Sequence, residues 1–284
     1  MNRRKFTKTL ALFGGASALT GLYSWQVEPH WLEFVKRKLP VKNLPDDLNG
    51  KTLMQISDIH TGRVDKDYIL KSFDSARAYK PDIVVYTGDF ISYDGGRQYE
   101  QLEEILKHRV TGRLGTVGIL GNHDYGHNWS QADVADTVAA IINNSGITLL
   151  RNADHNIGGL NIIGIDDLWG TNFYPRAAMA RYNAAGPAIV LCHNPDVCDL
   201  DFWKNYQGWI LSGHTHGGQC KPPFLPPPVI PVKNKKYAAG VIDLEDGRML
   251  YINRALGHSM QVRFNVRPEI TVFEMVRSEP TKAG

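Results

Sequence analysis

The feature of this 284-residue chain that most constrains its fold is a series of short apolar segments that run straight into Asp, Asn, His and Gly. Their composition is typical of strands buried on both faces of a sheet. We predict strands at residues 53–56, 83–86, 116–120, 161–165, 188–191 and 209–211. Because strand C-terminal ends line the ligand crevice of α/β proteins, the polar residues that follow these strands can meet at one point.

Amphipathic segments separate these strands, and together they predict an α/β fold. Helices are expected over about 66–79, with Asp65 as the cap, over about 98–108, from Ser130 to about 143, and from Asp196 to about 203. Strands are expected again at 238–244, 249–253 and 270–275, the first two joined by a turn at 245–248. Residues 222–231 hold six prolines and must form an extended loop. The pattern leaves open a single mixed sheet or two sheets packed face to face.

The N-terminal segment reads as a targeting signal. Arg3 and Arg4 precede an apolar, Gly/Ala-rich run over residues 10–23, which resembles a twin-arginine export signal. The run is shorter than the ~20 apolar residues of a membrane span. We therefore assign residues 1–30 to an export signal, either cleaved or kept as a membrane anchor, and expect a periplasmic or cell-envelope location. Residues 31–49 are interpreted as a lead-in with an amphipathic helix, 50–276 as the folded domain and 277–284 as a flexible tail.

Charge and cysteine content exclude several classes of protein. The net charge is only +3, and the densest basic cluster, Lys233, Lys235 and Lys236, is interpreted as a solvated loop, so no nucleic-acid partner is expected. The three cysteines lack CxxC spacing and are interpreted as buried apolar thiols. A Cys192–Cys198 disulfide stays open if the chain is exported, because that compartment is oxidising.

The polar residues at the strand ends are those of a metal site. Asp58 and His60 stand two residues apart, as do His214 and His216, and in extended backbone such pairs project to the same side. Mixed imidazole, carboxylate and amide ligands suit Mn²⁺, Zn²⁺ or Fe²⁺ and do not suit a thiolate site. Two divalent ions would outweigh the carboxylates and favour a phosphate anion. The full candidate set is Asp58, His60, Asp89, Asn122, His193, His214 and His216.

These motifs resemble those of the calcineurin-like metallophosphoesterases. Residues 192–196, 213–219 and 263–270 are similar to the YkuE/YaeI-type branch in particular, with Ala255 standing where that branch leads us to expect glycine. The resemblance implies a four-layer αββα sandwich of two mixed β-sheets flanked by helices. It also implies two divalent metal ions, the first held by Asp58, His60 and His216, the second by Asn122, His193 and His214, with Asp89 bridging.

The function that the resemblance implies is hydrolysis of a phosphate ester or pyrophosphate by a metal-bridging hydroxide, with phosphodiester hydrolysis as the main hypothesis. His123 is the candidate catalytic residue, placed to stabilise the phosphoryl charge or protonate the leaving group. The alternative is a UDP-2,3-diacylglucosamine-type pyrophosphatase acting on a lipid-linked nucleotide at a membrane surface. A non-catalytic binding module is disfavoured because no ligand is missing.

Several other residues are left with two interpretations. His127 either touches substrate or lies in a surface loop, and Arg254 and Arg263 either bind a second anion or form structural salt bridges. A group of aromatic and apolar residues either forms a rim suited to a lipid or nucleotide-linked substrate or merely packs its loops: Trp169, Phe173, Tyr174, Phe224 and Leu225.

Overall fold

Two six-stranded sheets organise the chain in the computed structural model, which describes residues 3–93 and 95–278. The strands are β1 (Glu33–Val41), β2 (Thr52–Ile56), β3 (Ile83–Thr87), β4 (Gly115–Ile119), β5 (Thr148–Leu149), β6 (Ala153–Ile157), β7 (Leu160–Gly164), β8 (Ala188–Leu191), β9 (Gly208–Ser212), β10 (Gly240–Asp243), β11 (Arg248–Ile252) and β12 (Glu269–Arg277). The helices are α1 (Arg3–Leu22), α2 (Lys66–Arg77), α3 (Arg97–Leu106), α4 (Ala132–Asn144) and α5 (Pro175–Met179).

Both sheets are mixed, and in both the strands that lead to the predicted site are parallel. The first sheet has the order β1-β12-β2-β3-β4-β5, with β2 to β5 parallel and β12 antiparallel to β2. The second has the order β10-β11-β9-β8-β7-β6, with antiparallel strands at its two edges. Because β2, β3, β4, β8 and β9 run in parallel sets, their C-terminal ends open onto one shared edge.

Alternating burial along the strands produces the layers. In β2, Met54 and Ile56 pack against α2, α3 and α4, while Leu53 points the other way and packs against the second sheet. The outer face of the second sheet packs against α5, a short 3₁₀ turn and loop residues such as Ile230. Each fully buried aliphatic side chain contributes about 1.5–3 kcal/mol. The predicted four-layer αββα sandwich is confirmed, with a fourth layer built mainly of loops and short helical turns.

A buried glutamine ties the two sheets together near the site. The Gln55 side-chain amide donates to Thr87 Oγ1 at 3.0 Å in its own sheet and to the Ser212 carbonyl at 2.9 Å in the other sheet. A buried amide without partners would cost about 1–3 kcal/mol, so these two bonds favour one relative position of the sheets. That position fixes the distance between the loop after β3 and the loop after β9.

Most predicted elements are present within two residues of their expected bounds, and α2 shows why. The Asp65 carboxylate accepts the Tyr68 N–H at 2.8 Å and caps the helix, as predicted. Ile69, Phe73 and Ala76 recur at helical spacing and are all buried. The predicted turn at 245–248 does join β10 to β11 as an antiparallel hairpin, and residues 222–231 form a loop without regular structure.

Three local predictions were wrong. The expected amphipathic helix in the lead-in is instead strand β1, which pairs with β12; its exposed Lys36, Arg37 and Lys38 protect an edge strand, where Pro40 is also tolerated. Helix α4 begins at Ala132 and is not capped by Ser130. Asn194, not Asp196, caps the turn after β8, and that turn is a 3₁₀ helix ending at Asp199.

The structure describes the N-terminal segment from residue 3 onward, but only the first two residues of the expected C-terminal tail. The N-terminal segment forms α1, followed by a π-helical stretch (Tyr23–Val27) and a 3₁₀ turn (Glu28–His30). Within the described residues, none of the helices combines the length and apolar character that crossing a bilayer needs. Of the expected tail, Arg277 is the last residue of β12, and residues 279–284 lie outside the described part of the chain. The three cysteines are free thiols; Cys192 and Cys198 are buried as expected, whereas Cys220 is partly exposed.

Candidate metal centre

Six of the seven candidate ligands converge on one buried cluster at the shared sheet edge. Their donor atoms form two groups within 4.8 Å of one another, Asp58, His60, Asp89 and His216 in the first and Asp89, His193 and His214 in the second. Asp89 belongs to both groups: its Oδ2 lies 3.6 Å from His60 Nε2 and 3.1 Å from His193 Nε2. A single carboxylate is thus placed between two sets of imidazoles.

The seventh candidate, Asn122, lies in the 3₁₀ turn that follows β4. Its side-chain Oδ1 is buried and has no hydrogen-bond partner. Gly121 before it passes so close to Asp89 that a Cβ there would lie 2.6 Å from the Asp89 backbone nitrogen. An unpartnered buried oxygen beside an imidazole and carboxylate cluster is what a metal-ligating amide requires.

The ligand pairs do not converge for the reason that the sequence argument gave. Asp58, His60, Asp89, His214 and His216 all have φ between +52° and +71°, in the left-handed region, so the backbone there is not extended. Non-glycine residues in this region are uncommon and concentrate at functional sites. As a consequence, His214 and His216 point into different groups, so the same-side projection expected from extended backbone does not hold for this pair.

Each cluster histidine has one ring nitrogen held by an oxygen atom and the other turned toward the cluster. His193 Nδ1 donates to the Thr87 carbonyl at 2.7 Å, His214 Nε2 to the Pro231 carbonyl at 2.9 Å, and His216 Nδ1 to Gln219 Oε1 at 3.0 Å. His60 Nδ1 lies 2.8 Å from Ser92 Oγ. Such partners fix the tautomer and leave the opposite nitrogen free to bind a metal.

The facing nitrogens show that the residues fit a pair of cations. His193 Nε2 and His214 Nδ1 lie 3.3 Å apart, and in the neutral rings both carry lone pairs because their opposite nitrogens hold the protons. His60 Nε2 and His216 Nε2 lie 3.0 Å apart in the other group. A cation bound between the two nitrogens of each pair would attract both lone pairs and remove the repulsion between them. The buried cluster therefore fits a dinuclear divalent metal site.

The charges of the cluster also suit metal ligation. Burial alone would raise the pKa of Asp58, but His216 and His193 outweigh it and lower that pKa to about 2. Burial is likewise outweighed at Asp89, whose pKa lies well below its ordinary value because of His193 and His123. Burial and then the neighbouring His193 lower the pKa of His214 to about 3. Both carboxylates are ionised and His214 is neutral at pH 7, the forms that bind metals. His193 differs, because Asp89 and Asp58 outweigh its burial and raise its pKa well above the ordinary value, so this ring must lose a proton when a metal binds.

His123 lies next to the cluster without belonging to either ligand group. Its backbone N–H donates to Asp89 Oδ1 at 2.9 Å, and its ring centre is 5.1 Å from that of His60 in an edge-on arrangement. The side chain is half-buried, whereas the ligands are buried. A partly exposed imidazole next to the cluster is compatible with a catalytic role.

For several residues that the sequence left with two interpretations, the structure decides between the two. Arg254 pairs with Glu269 and Glu33, and the buried Arg263 donates to the carbonyls of Arg254, Gly257 and Val266, so both arginines are structural. His127 is exposed. Of the expected aromatic rim, Trp169 stacks on Trp129 and lies 4.6 Å edge-on to His214, while Phe173 packs into the core.

Two residues near the cluster were missed by the sequence analysis. Asp167 is buried, its pKa is raised to about 7 by burial, and its Oδ2 has no partner among the described atoms. Gln219 positions His216: its Oε1 accepts from His216 Nδ1 and from the Ser259 N–H, while its Nε2 donates to the carbonyls of Met260 and Val262. The position of Gln219 just after the Gly-His-Thr-His-Gly-Gly motif was the available signal.

We expect Gln219→Leu to weaken metal binding by about 10–100-fold, because the acceptor that orients His216 is lost. Gln219→Glu keeps that acceptor and is expected to retain most of the affinity. Metal titration of the metal-free protein measures the difference. Equal affinity in the two variants would show that Gln219 does not act through His216.

Comparison with known proteins agrees with this geometry. The family model described as calcineurin-like phosphoesterase matches residues 51–218. Metallophosphoesterase YkuE of Bacillus subtilis is 31% identical, over 97% of this chain and 98% of its own length. Phosphodiesterase YaeI of Escherichia coli is 28% identical, over 97% of this chain and 100% of its own. UDP-2,3-diacylglucosamine pyrophosphatase LpxG of Chlamydia muridarum is 27% identical, over 94% and 96%. The chain therefore belongs to the calcineurin-like phosphoesterase family, which consists of metal-dependent phosphoric ester hydrolases.

Proposed function

We propose that the chain is a phosphodiesterase that works with two divalent ions. Asp58, His60 and His216 would hold the first ion, and Asn122, His193 and His214 the second, with Asp89 shared. The observation that carries this proposal is the pairing of imidazole nitrogens, 3.0 Å and 3.3 Å apart, on either side of one carboxylate.

When bound, a pair of divalent ions supplies a nucleophile from water at neutral pH and neutralises the phosphoryl oxygens. The chain's own residues do the rest. The ionised Asp58 and Asp89 give the site its affinity for cations, and the oxygen partners of the four histidines hold the rings in place. His123, on the open side, would contact the phosphoryl group and supply a proton to the leaving oxygen.

Diester hydrolysis is favoured because YaeI, which this chain matches over nearly its whole length, is a phosphodiesterase. Mn²⁺, Zn²⁺ and Fe²⁺ are the candidate ions, since each accepts mixed imidazole and oxygen ligands. The test is turnover of metal-loaded protein on matched nitrophenyl monoesters, diesters and a nucleoside pyrophosphate, with each ion in turn. Fastest turnover of the diester supports the proposal. Turnover of the pyrophosphate alone would support LpxG-like chemistry instead, and the absence of any turnover would refute both.

We further propose that the chain is exported through a twin-arginine signal to the cell envelope. The support is Arg3-Arg4 followed by the apolar run of α1. In cells that make the protein, replacing both arginines with lysine is expected to trap it in the cytoplasm. Fractionation with a marker for each compartment measures this, and unchanged distribution of the double variant would contradict the proposal.

A further inference from the structure

An exposed apolar surface borders the metal centre. Phe224, Leu225 and Val229 of the proline-rich loop, with Met260 and Val262 of the segment before β12, are large apolar residues exposed to solvent. Phe224 is fully exposed, and Met260 is 70% exposed. We name these five residues the apolar ledge. Exposed apolar groups gathered at one place mark sites of association rather than ordinary surface.

Hydrogen bonds join the segment that carries Met260 and Val262 to the base of the N-terminal helix. The N–H of Arg263 donates to the Ser24 carbonyl at 2.9 Å, and the Gln261 side chain donates to the Trp25 carbonyl at 3.1 Å. The proline-rich loop is tied to the same segment, because the Lys221 N–H donates to the Phe264 carbonyl at 2.9 Å. Among the described residues, the N-terminal segment adds further exposed apolar side chains: Leu12, Phe13, Leu19, Leu22, Trp25, Val27 and Trp31.

The charge of these segments favours an anionic lipid surface over a protein partner. Residues 3–27 and 214–242 together hold eight of the 32 Lys and Arg residues and none of the 29 Asp and Glu residues. The remainder of the chain is therefore acidic, with 24 basic residues against 29. Exposed apolar residues accompanied by basic residues only, with tryptophans among them, are the composition of a surface that lies in the headgroup region of a bilayer.

A cavity connects the ledge with the metal centre. Its volume is about 360 Å³, and its lining includes both the cluster histidines His214 and His216 and the ledge residues Val229, Met260 and Val262. A substrate with phosphorus at the cluster can thus lay an apolar tail along this cavity and out onto the ledge. The polar end and the apolar end match the two parts of a phosphate ester of a lipid.

We propose that the apolar ledge docks on an anionic lipid bilayer and that the substrate is a phosphodiester whose apolar chain lies in the cavity. The substrate part of this proposal rests on the proposed function, whereas the docking part does not. In the reaction, water adds to phosphorus, the bond from phosphorus to the leaving oxygen breaks, and that oxygen leaves with a proton.

The docking part is tested by sedimentation of the full-length protein with phosphatidylcholine vesicles that contain or lack phosphatidylglycerol. We expect preference for the anionic vesicles, weakened by salt, and at least tenfold weaker binding for Phe224→Ser/Leu225→Ser. The control is Leu114→Ser, which removes an exposed apolar residue at the opposite end of the sheet, just before β4. Circular dichroism and metal content verify that each variant is folded.

Equal binding of the wild type, the ledge variant and the control would overturn the docking proposal, since α1 alone would then account for it. Binding by none of the three would overturn it as well. Unchanged vesicle binding, with self-association lost in the ledge variant, would assign the ledge to a protein partner. None of these outcomes depends on turnover, so the docking test stands even if the diesterase assignment fails.

The substrate part is tested with nitrophenyl alkyl phosphates that differ only in alkyl chain, from methyl to octyl. Each methylene that enters the cavity is expected to raise kcat/KM by about fourfold, so at least a tenfold rise over the series is expected. In Met260→Ser/Val262→Ser the rise should shrink. A flat series with active enzyme would overturn the substrate proposal while leaving the diesterase assignment intact.

Discussion

Replacing His123 with alanine is expected to leave the metal content unchanged and to lower turnover of a phosphodiester by about 10²–10⁴-fold. The ring is outside both ligand groups, so its removal takes no ligand from either ion. The backbone N–H that bonds Asp89 remains, so the shared carboxylate keeps its position. What is lost is a half-buried imidazole beside the cluster, which would stabilise phosphoryl charge and protonate the leaving oxygen.

Metal analysis and kinetics on the same preparations measure both expectations, and His127→Ala is the matched control. His127 is an exposed histidine four residues further along the same loop, and its removal is expected to change turnover by less than about twofold. In His123→Ala, hydrolysis should slow less for a substrate whose leaving group needs no protonation, such as nitrophenolate, than for a substrate with an alkoxide leaving group. A parallel fall of metal content and turnover would show that the ring is a ligand, contrary to its assigned role.

The sequence was sufficient to predict the fold class because a strand buried on both faces has an uninterrupted apolar sequence, which is easily recognised. The run Ile83-Val84-Val85-Tyr86 has no polar face, and β3 is buried along its whole length. Where a segment is buried on one face only, its sequence pattern is ambiguous. Residues 33–41 carry a Lys-Arg-Lys run that suits a helix surface or an edge strand equally, and only pairing with the distant β12 decides between them. Non-local pairing of this kind cannot be read from a local pattern.

The candidate site shows a similar division. The donor types and their order after the strands were visible in the sequence, but the left-handed backbone at Asp58 and His60 was not. The same holds for Ala255, where glycine was expected: its φ of +71° is a conformation that glycine adopts at no steric cost, and the chain keeps it with alanine. The oxygens that orient the rings were also invisible, since the carbonyls of Thr87 and Pro231 belong to the backbone and carry no sequence signal.

Asp89→Asn is expected to abolish turnover and to reduce the bound metal from about two ions per chain to at most one. Asparagine is the sharpest substitution here, because it matches the size of aspartate and tolerates the left-handed φ of +54° at this position. It can still accept the His123 N–H through its side-chain oxygen. It cannot place negative charge between His60 and His193, whose Nε2 atoms lie 3.6 Å and 3.1 Å from the carboxylate.

The control for Asp89→Asn is Asp166→Asn, which removes another buried carboxylate, two residues after β7 in the second sheet. Asp166 binds Arg151 and Asn172 and belongs to neither ligand group, so its loss is expected to lower stability and to leave the metal content unchanged. Metal analysis after dialysis, with the melting temperature of each variant, separates these effects. Full retention of metal by Asp89→Asn would mean that the two histidine pairs hold their ions independently. Two-metal hydrolysis needs both ions close to the same phosphoryl group. The proposed chemistry therefore depends most on Asp89, the carboxylate that would be shared by the two ions.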